Sequence, residues 1–367
     1  MKLRGAISGF GQVAALGHLP GWRTRPDVEI VAVHEPLASQ RHEALKLIRN
    51  VRVYEDLELM LSGEQLDFLD VASPPAYHAA AARMALEAGV HVLVEKPLCL
   101  SLDEFDRLAA IAAKRNLTLF CAHNWKHAPA YRLAGELIAQ GRLGALRYVA
   151  LIRLRTEQAR GVAEVSAAGQ TGSGQSGREA SPARRPNAMP WRLDAVSGGG
   201  ILIDHGWHTF YLMHWLMGHQ APETISARLG FNPESGVEDV ADLGLGFGDG
   251  RIGYAHLSWR APVRRTSATL YGDEAMLEIE GDRVVLTARS GKHEDMSVSD
   301  APDDSYHSAW FGNLAGEFEG AVAGSDRGAA ANNLAEARMA LALTLAARKS
   351  HQSGGSSVGL SLAKSDR

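Results

Sequence analysis

Cysteine is almost absent. Cys99 and Cys121 are the only two in 367 residues, too few for a disulfide framework and at a spacing that suits no metal knuckle. No run of about 18 apolar residues occurs, the length that a membrane-spanning helix needs. Basic excess is missing too: the formal net charge of -4 gives nucleic acid and anionic membrane surfaces no electrostatic hold. The N-terminus, Met1-Lys2-Leu3-Arg4-Gly5, lacks the apolar core of a signal peptide and runs straight into a strand pattern. Free thiols and the missing leader make cytoplasmic residence the expectation. What is there is ordinary: 46% hydrophobic and 22% charged residues describe a globular chain, long enough for two domains with their own cores.

The first half alternates short apolar runs with helical patterns, which predicts a parallel sheet wrapped by helices. Strands are predicted over 3–8, 29–33, 67–72, 90–94 and 117–122. The first runs into Gly9-Phe10-Gly11-Gln12-Val13-Ala14, a G-x-G-x-x-A fingerprint at a strand-to-helix turn, the context in which it predicts dinucleotide binding. Gly9 permits the tight turn, Gly11 lets a pyrophosphate approach the backbone, and Ala14 allows close helix packing. Phe10, Gln12 and Val13 complete the loop, and the helix behind them offers its N-terminal amides to phosphate. Glu35 follows the second strand, 21 residues after Ala14, where a carboxylate receives the adenosine ribose and repels a 2′-phosphate. NAD is therefore expected, with Arg41 leaving room for NADP.

Past the third strand, Ser73-Pro74-Pro75 and His78 read as a wall of the cofactor crevice. The fourth strand stops at Glu95-Lys96-Pro97, two opposite charges at a strand end of the kind where doubly wound sheets bind ligands. Ser101, followed by Asp103 and Glu104, predicts a helix N-cap, with the helix running through Lys114.

The alternation stops after Cys121. His123-Asn124-Trp125-Lys126-His127 leaves the last strand, and a helix is predicted over 129–141. Further strands are expected over 146–155, 223–229, 239–247, 251–259, 267–271, 275–280 and 283–288, with Asp249-Gly250 as a hairpin turn. With few helical patterns between them, they imply one mainly antiparallel sheet. Its inner face would pack on a buried helix, and its outer face could meet another subunit. Helix returns over 311–322 and 330–352. Residues 161–181 are rich in Gly, Ser, Ala and Gln without periodicity, and 161–187 reads as a flexible insertion. Arg184, Arg185, Trp191 and Arg192 after it could form a lid over substrate, or a solvated basic loop.

The buried helix begins at Gly198-Gly199-Gly200-Ile201-Leu202-Ile203-Asp204-His205-Gly206-Trp207-His208 and stays mostly apolar to Met217. Apolar residues nearly all round predict burial. Asp204 and His208, four residues apart, would share one face one helical turn apart, continued by Tyr211 and Trp215. Three glycines allow close backbone approach. Taken alone, a buried Asp/His pair is compatible with a satisfied core pair; a cofactor crevice beside it points to a site.

Together these residues resemble the Gfo/Idh/MocA family of NAD(P)-dependent oxidoreductases. The resemblance covers nearly the whole chain and rests on Gly9 to Ala14, Ser73-Pro74-Pro75, Glu95-Lys96-Pro97, His123-Asn124 and the glycine-to-histidine run ending at His208. It implies an N-terminal Rossmann domain, placed at 1–122, and an α+β domain with a large open sheet, placed at 123–367, whose C-terminal helices could pack back on the first. It also implies dimers or tetramers built through that sheet, and sugars, sugar derivatives or cyclitols as substrates. By the same resemblance Lys96 is the active-site lysine, Asp204 the substrate-binding acid and His208 the proton-transferring histidine. Lys126 and His127 depart from the family's Asn-x-Arg-Phe stretch at that place.

The implied chemistry is hydride transfer between a secondary alcohol and nicotinamide, with His208 taking the hydroxyl proton and Lys96 polarising the oxygen. Asp204 would anchor a neighbouring hydroxyl or tune the histidine, while Asn124, Lys126, Trp191 and Arg192 are expected to contact substrate. Two readings compete: a redox-neutral enzyme that reduces NAD only transiently, and a dinucleotide-binding regulator without catalysis. The histidine pairs His123/His127 and His205/His208 lack the cysteine or His/Glu pattern of a zinc site, so no metal is expected.

Overall fold

Short runs of Val, Ile and Leu bounded by turn residues become strands buried on both faces, as parallel sheets require. The computed structural model describes residues 2–156, 191–300, 306–325 and 327–360. Its first sheet holds β1 Leu3–Ser8, β2 Val28–His34, β3 Arg52–Tyr54, β4 Phe68–Val71, β5 His91–Val94 and β6 Leu119–Cys121. All are parallel in the order β3-β2-β1-β4-β5-β6. The order reverses between β1 and β4, the switch point at which doubly wound sheets open a ligand crevice. Strand β3 is absent from the sequence reading because three residues are too few to display a period.

The connecting helices are α1 Leu19–Arg23, α2 Ala38–Leu47, α3 Leu57–Gly63, α4 His78–Glu87, α5 Leu102–Arg115 and α6 Pro129–Ala139. Helix α5 starts where the sequence predicts, with Ser101 Oγ accepting from the Glu104 amide at 3.2 Å. Helix α1 is preceded by a π-helical turn, Val13–His18, which swings His18 and Trp22 over the sheet. There His18 Nδ1 meets Asp70 at 2.9 Å, Trp22 Nε1 donates to Asp70 at 2.7 Å, and His18 Nε2 meets Glu95 at 3.2 Å.

This buried triad has a pH signature. Burial opposes a charge on His18, yet Asp70 and Glu95 outweigh it and raise the pKa from 6.5 to about 9. A pKa raised on folding contributes stability that is complete below the unfolded value and disappears as pH climbs through the folded one. The chain should therefore lose on the order of 2–3 kcal/mol between about pH 6.5 and pH 9. Thermal unfolding across that range should show Tm falling in the wild type, and a shallower fall in His18→Gln.

The second sheet has nine strands: β7 Leu146–Leu154, β8 Thr224–Phe231, β9 Glu238–Gly246, β10 Ile252–Ser258, β11 Arg265–Gly272, β12 Ala275–Glu280, β13 Arg283–Ala288, β14 His293–Asp295 and β15 Val358–Gly359. Their order is β14-β13-β12-β11-β7-β10-β9-β8-β15, antiparallel throughout except for the parallel β7–β10 pair. The Asp249-Gly250 turn joins β9 to β10, with Gly250 at φ 84°. The sheet's inner face packs on helix α7, Trp207–Leu216, and on the long α9, Arg327–Gln352. On the outer face Ile252, Tyr254 and Tyr271 are exposed.

Two helices fasten the sheets together. Helix α8, Ser308–Val322, returns to the first sheet, where Phe311 and Phe318 pack on Trp22 and Phe68. Asn333 of α9 substitutes for a missing strand neighbour at β6: Oδ1 accepts from the Cys121 amide at 2.7 Å and Nδ2 donates to its carbonyl at 2.9 Å. Among the described residues no helix is long and apolar enough to cross a membrane. The 161–187 insertion, with Arg184 and Arg185, lies outside the described residues.

Candidate active site

The loops after β1, β4 and β5 meet at the switch point. Gly9 sits at φ 88°, and a Cβ there would lie 2.6 Å from the backbone of Ser73. Only glycine lets these two loops close on one another. Gly11 differs: a Cβ there would meet nothing within 4 Å. The space beside it is open, a cradle that any side chain would fill. Glu35 is buried and holds the turn in place, accepting from the Phe10 and Leu37 amides at 2.8 Å each. Gln12 Oε1 accepts from the Tyr306 hydroxyl at 2.9 Å, and Val13 is partly exposed beside it.

His78 stands between the Ser73 and Pro97 carbonyls at 2.6 Å from each, tying the β4 loop, with Pro74 and Pro75, to the β5 loop. Ser73 Oγ is buried without a hydrogen-bond partner among the described residues, an orphaned hydroxyl beside the glycine turn. Glu95 faces the other way, receiving His18 and the Lys96 amide, the latter at 2.9 Å. The open cradle, the orphaned hydroxyl and the buried acid after β2 fit a dinucleotide laid across β1 and β4.

The glycine run before α7 lines no open space at Gly199 and Gly200. A Cβ on Gly199 would press into the carbonyls of Trp191, Arg192 and Asp194, and Gly200, at φ 108°, is crowded by the Glu238 carboxylate. The glycines let the chain fold back on itself, which delivers Arg192 to Asp204, Nε to Oδ2 at 3.0 Å.

The turn that follows corrects one expectation. Leu202–Gly206 is a π-helical turn leading into α7, not the start of an α-helix. The carboxylate and the imidazole take different partners. Asp204 takes Lys96, whose Nζ donates to its carbonyl at 2.8 Å and to Oδ1 at 3.0 Å. His208 turns instead to Tyr211, Nδ1 to hydroxyl at 2.9 Å, beside the ring of Trp125 at 5.7 Å. Lys96 thus comes from the end of β5, and His208 from α7.

Charge states follow from this packing. Burial would raise the Asp204 carboxyl, but Arg192, Lys96 and His205 hold it well below the usual carboxylate range. His208 is pushed well below the ordinary histidine value, first by burial and then by the cations Lys96 and Arg153. Burial takes His205 down to about 4, and its Nδ1 accepts from Trp259 Nε1 at 3.2 Å. Both histidines are therefore neutral at ordinary pH.

The residues after β6 divide. Asn124 Oδ1 is buried and unpartnered among the described residues. Lys126 Nζ donates to Glu336 of α9 at 2.8 Å, and His123 bonds the same carboxylate at 3.1 Å. The His123 ring stacks on Tyr211 at 4.2 Å. The histidine pairs weighed as metal ligands are not the ones gathered here. Among the described residues His214, His219 and Glu336 bring ligand atoms within 4.8 Å of one another, on the carboxylate that Lys126 already occupies.

One residue escaped the sequence reading. Arg153 of β7 is 1% exposed, its guanidinium 3.8 Å from the centre of the Trp125 ring. The signal was present: strand alternation puts Arg153 and Arg155 on the inward face with the apolar Val149 and Leu151, and a cation at an inward position asks for a reason. Arg155 finds partners in the Leu154 carbonyl at 2.8 Å and Thr266 Oγ1 at 3.0 Å.

Comparison with known proteins gives the following. Residues 3–123 match the oxidoreductase family with an NAD-binding Rossmann fold, and residues 131–278 match the GFO/IDH/MocA C-terminal domain. The chain is 28% identical to an uncharacterized oxidoreductase of Synechocystis sp. over 58% of its own length and 50% of the relative's, so it spans about half of that protein. It is 26% identical to D-glucoside 3-dehydrogenase of Escherichia coli K12, covering 83% of this chain and 84% of the relative. Among solved structures, an inositol dehydrogenase homolog from Azotobacter vinelandii, complexed with NADH and myo-inositol, superposes with TM-score 0.78 at 19% identity over 98% of each chain.

Proposed function

The chain belongs to the Gfo/Idh/MocA family of NAD-binding oxidoreductases, and from that premise we propose that it oxidises a secondary alcohol of a sugar derivative or cyclitol, or reduces the matching ketone, with His208 and Lys96 handling the proton and the charge. D-glucoside 3-dehydrogenase and the inositol dehydrogenase homolog among its relatives point to that substrate class. The observation that carries the reading is the pairing of Lys96, at the end of β5, with Asp204 before α7, with His208 close enough that Lys96 helps to depress it.

The loops after β1 and β4, with Gly11, Ser73 and Glu35, would hold NAD, which would supply the hydride acceptor. The chain's own groups do the rest. Tyr211's hydroxyl already accepts from the Trp125 amide at 3.0 Å and keeps a second lone pair. His208 Nδ1 lies 2.9 Å from that hydroxyl, and in the tautomer that carries its proton on Nδ1 the Nε2 is free to take the substrate's hydroxyl proton. Two of the three Lys96 N–H groups go to Asp204, leaving one for the substrate oxygen, where it stabilises developing alkoxide charge. Asp204 and Arg192 hold Lys96 in place. Asn124 Oδ1, buried and unpaired, is a natural acceptor for a neighbouring hydroxyl.

The test is a panel of sugars, polyols, inositols and sugar acids incubated with protein and NAD. At least one should give net NADH; none giving NADH, with NAD binding intact, would favour the non-catalytic reading. Cofactor choice is assigned to Glu35. Replacing it with serine removes the acid that receives the ribose and leaves two amides without acceptors, at about 1–3 kcal/mol each. Titrations should show weaker NAD binding, a smaller preference over NADP, and a lower Tm. An unchanged preference would detach Glu35 from the ribose. We further assign the exposed outer face of the second sheet, with Ile252, Tyr254 and Tyr271, to contact with a second copy of the chain.

A further inference from the structure

His214 and Glu336 are buried side chains of metal-ligand type, and each has an atom to spare. His214 is 9% exposed, and its Nδ1 has no hydrogen-bond partner among the described residues. Glu336 is fully buried. Lys126 and His123 both take its Oε2, while Oε1 has no hydrogen bond among the described residues. His219 Nδ1 stands 3.5 Å from that free oxygen.

The fold gathers these three from distant places. His214 lies in the last turn of α7. Gly218 and His219, at φ 73° and 61°, then turn the chain back, and the His219 amide donates to the His214 carbonyl at 2.9 Å. Left-handed backbone is uncommon for a residue with a side chain. Here it brings the His219 ring beside that of His214, with centroids 5.5 Å apart. Glu336 arrives from α9. One ligand atom from each of the three lies within 4.8 Å of the other two. A plain ion pair accounts for His219 and Glu336 but leaves the buried His214 nitrogen unexplained.

From this geometry we infer that His214, His219 and Glu336 bind one divalent cation of the zinc class, which clamps the end of α7 to α9. Two imidazoles and one carboxylate suit zinc and its transition-metal neighbours, whereas calcium and magnesium require a shell of oxygens. Tetrahedral zinc, with ligands at about 2.0–2.2 Å, sets those ligands about 3.3–3.6 Å apart. The His219–Glu336 separation already has that value. His219 is half exposed, which leaves the fourth position to water. Lys126 and His123, on the other carboxylate oxygen, orient the glutamate as outer-shell partners do. A cation at the C-terminal end of α7 also complements the helix dipole. The clamp fixes at its far end the helix that carries His208.

This inference stands apart from hydride transfer, because binding and melting alone decide it. Untagged full-length protein is stripped with chelator, dialysed, and titrated calorimetrically with zinc, magnesium and calcium chlorides. Zinc should bind at one equivalent per chain, and Tm should rise as free zinc exceeds the dissociation constant. Magnesium and calcium should do neither. His219→Asn removes the imidazole but keeps a residue that tolerates left-handed backbone. It should weaken zinc at least 10–100-fold, roughly what loss of even an outer-shell partner costs a metal site. His214→Asn should do the same, and His293→Asn, at an exposed position on β14, should change nothing. Where His214→Asn does not fold, the half-exposed His219 position still decides. The inference is overturned by a wild type without a saturable zinc site, or by zinc affinity unchanged in His219→Asn. An equal loss in His293→Asn, or magnesium bound as tightly as zinc, overturns it too.

Discussion

Replacing His208 with alanine should lower kcat for NADH formation by roughly 10²–10⁴-fold, the span of a lost general base, while NAD still binds. The imidazole sits on α7, and the cofactor loops after β1 and β4 make no hydrogen bond to it among the described residues. Its removal therefore leaves the dinucleotide cradle intact. The pH profile carries a second signature. His208 is depressed well below 6.5 by burial, with Lys96 and Arg153 adding to it. It stays neutral, hence able to accept a proton, as pH falls through that value. The kcat/KM of the wild type should hold steady through pH 6.5 and fall only below it, because kcat/KM reports the free enzyme. A decline centred at 6.5 would mean a base in an ordinary aqueous environment, which His208 is not.

Replacing Lys96 with methionine should cost roughly 10²–10³ in kcat, comparable to losing one oxyanion donor. Methionine keeps much of the buried stem's volume and removes only the ammonium. Two further effects distinguish this variant from His208→Ala. Lys96 is among the cations that depress both His208 and Asp204, so the acid limb of the pH profile should move toward higher pH in Lys96→Met. The buried carboxylate of Asp204 would also lose its lysine and keep Arg192 and His205, so Tm should drop as well. Lys96→Arg, which restores the charge but not the compact three-donor geometry, should recover Tm more than kcat. Full activity in Lys96→Met would remove the lysine from the mechanism.

Much of this fold is legible in the chain because parallel strands announce themselves as unbroken apolar runs. The glycine fingerprint sits at the one turn where β1 feeds a helix, and Glu35 follows at the expected interval. The antiparallel sheet is legible through period two and the Asp249-Gly250 turn. Strand β3 was too short to show a period, and β14 and β15 too polar or too brief.

The site was less legible. Lys96 and His208 are found by motif, but spacing implied an α-helical Asp204–His208 pair. The turn through Asp204 is π-helical, an insertion that no one-dimensional period encodes, and the carboxylate goes to Lys96 and Arg192 while His208 goes to Tyr211. The glycine run reads as room for a ligand, whereas it serves Arg192's approach to Asp204. Lys126 reads as a substrate contact until α9 brings Glu336 across more than two hundred residues of sequence to hold it. Arg153 shows the converse. Its inward position was visible in the alternation of β7, but only the folded chain reveals that among the described residues its guanidinium has no hydrogen-bond partner.

The central claim is direct hydride transfer from a carbinol carbon, with the proton leaving through His208. Its most direct test takes the compound that gives NADH in the substrate panel, deuterated at the carbon that is oxidised, and follows the label by nuclear magnetic resonance. Deuterium should appear at the nicotinamide ring of the cofactor, in step with net NADH, and transfer should collapse in His208→Ala. Deuterium released to water, or returned to product with no net NADH, would contradict the claim and place the chain among redox-neutral enzymes.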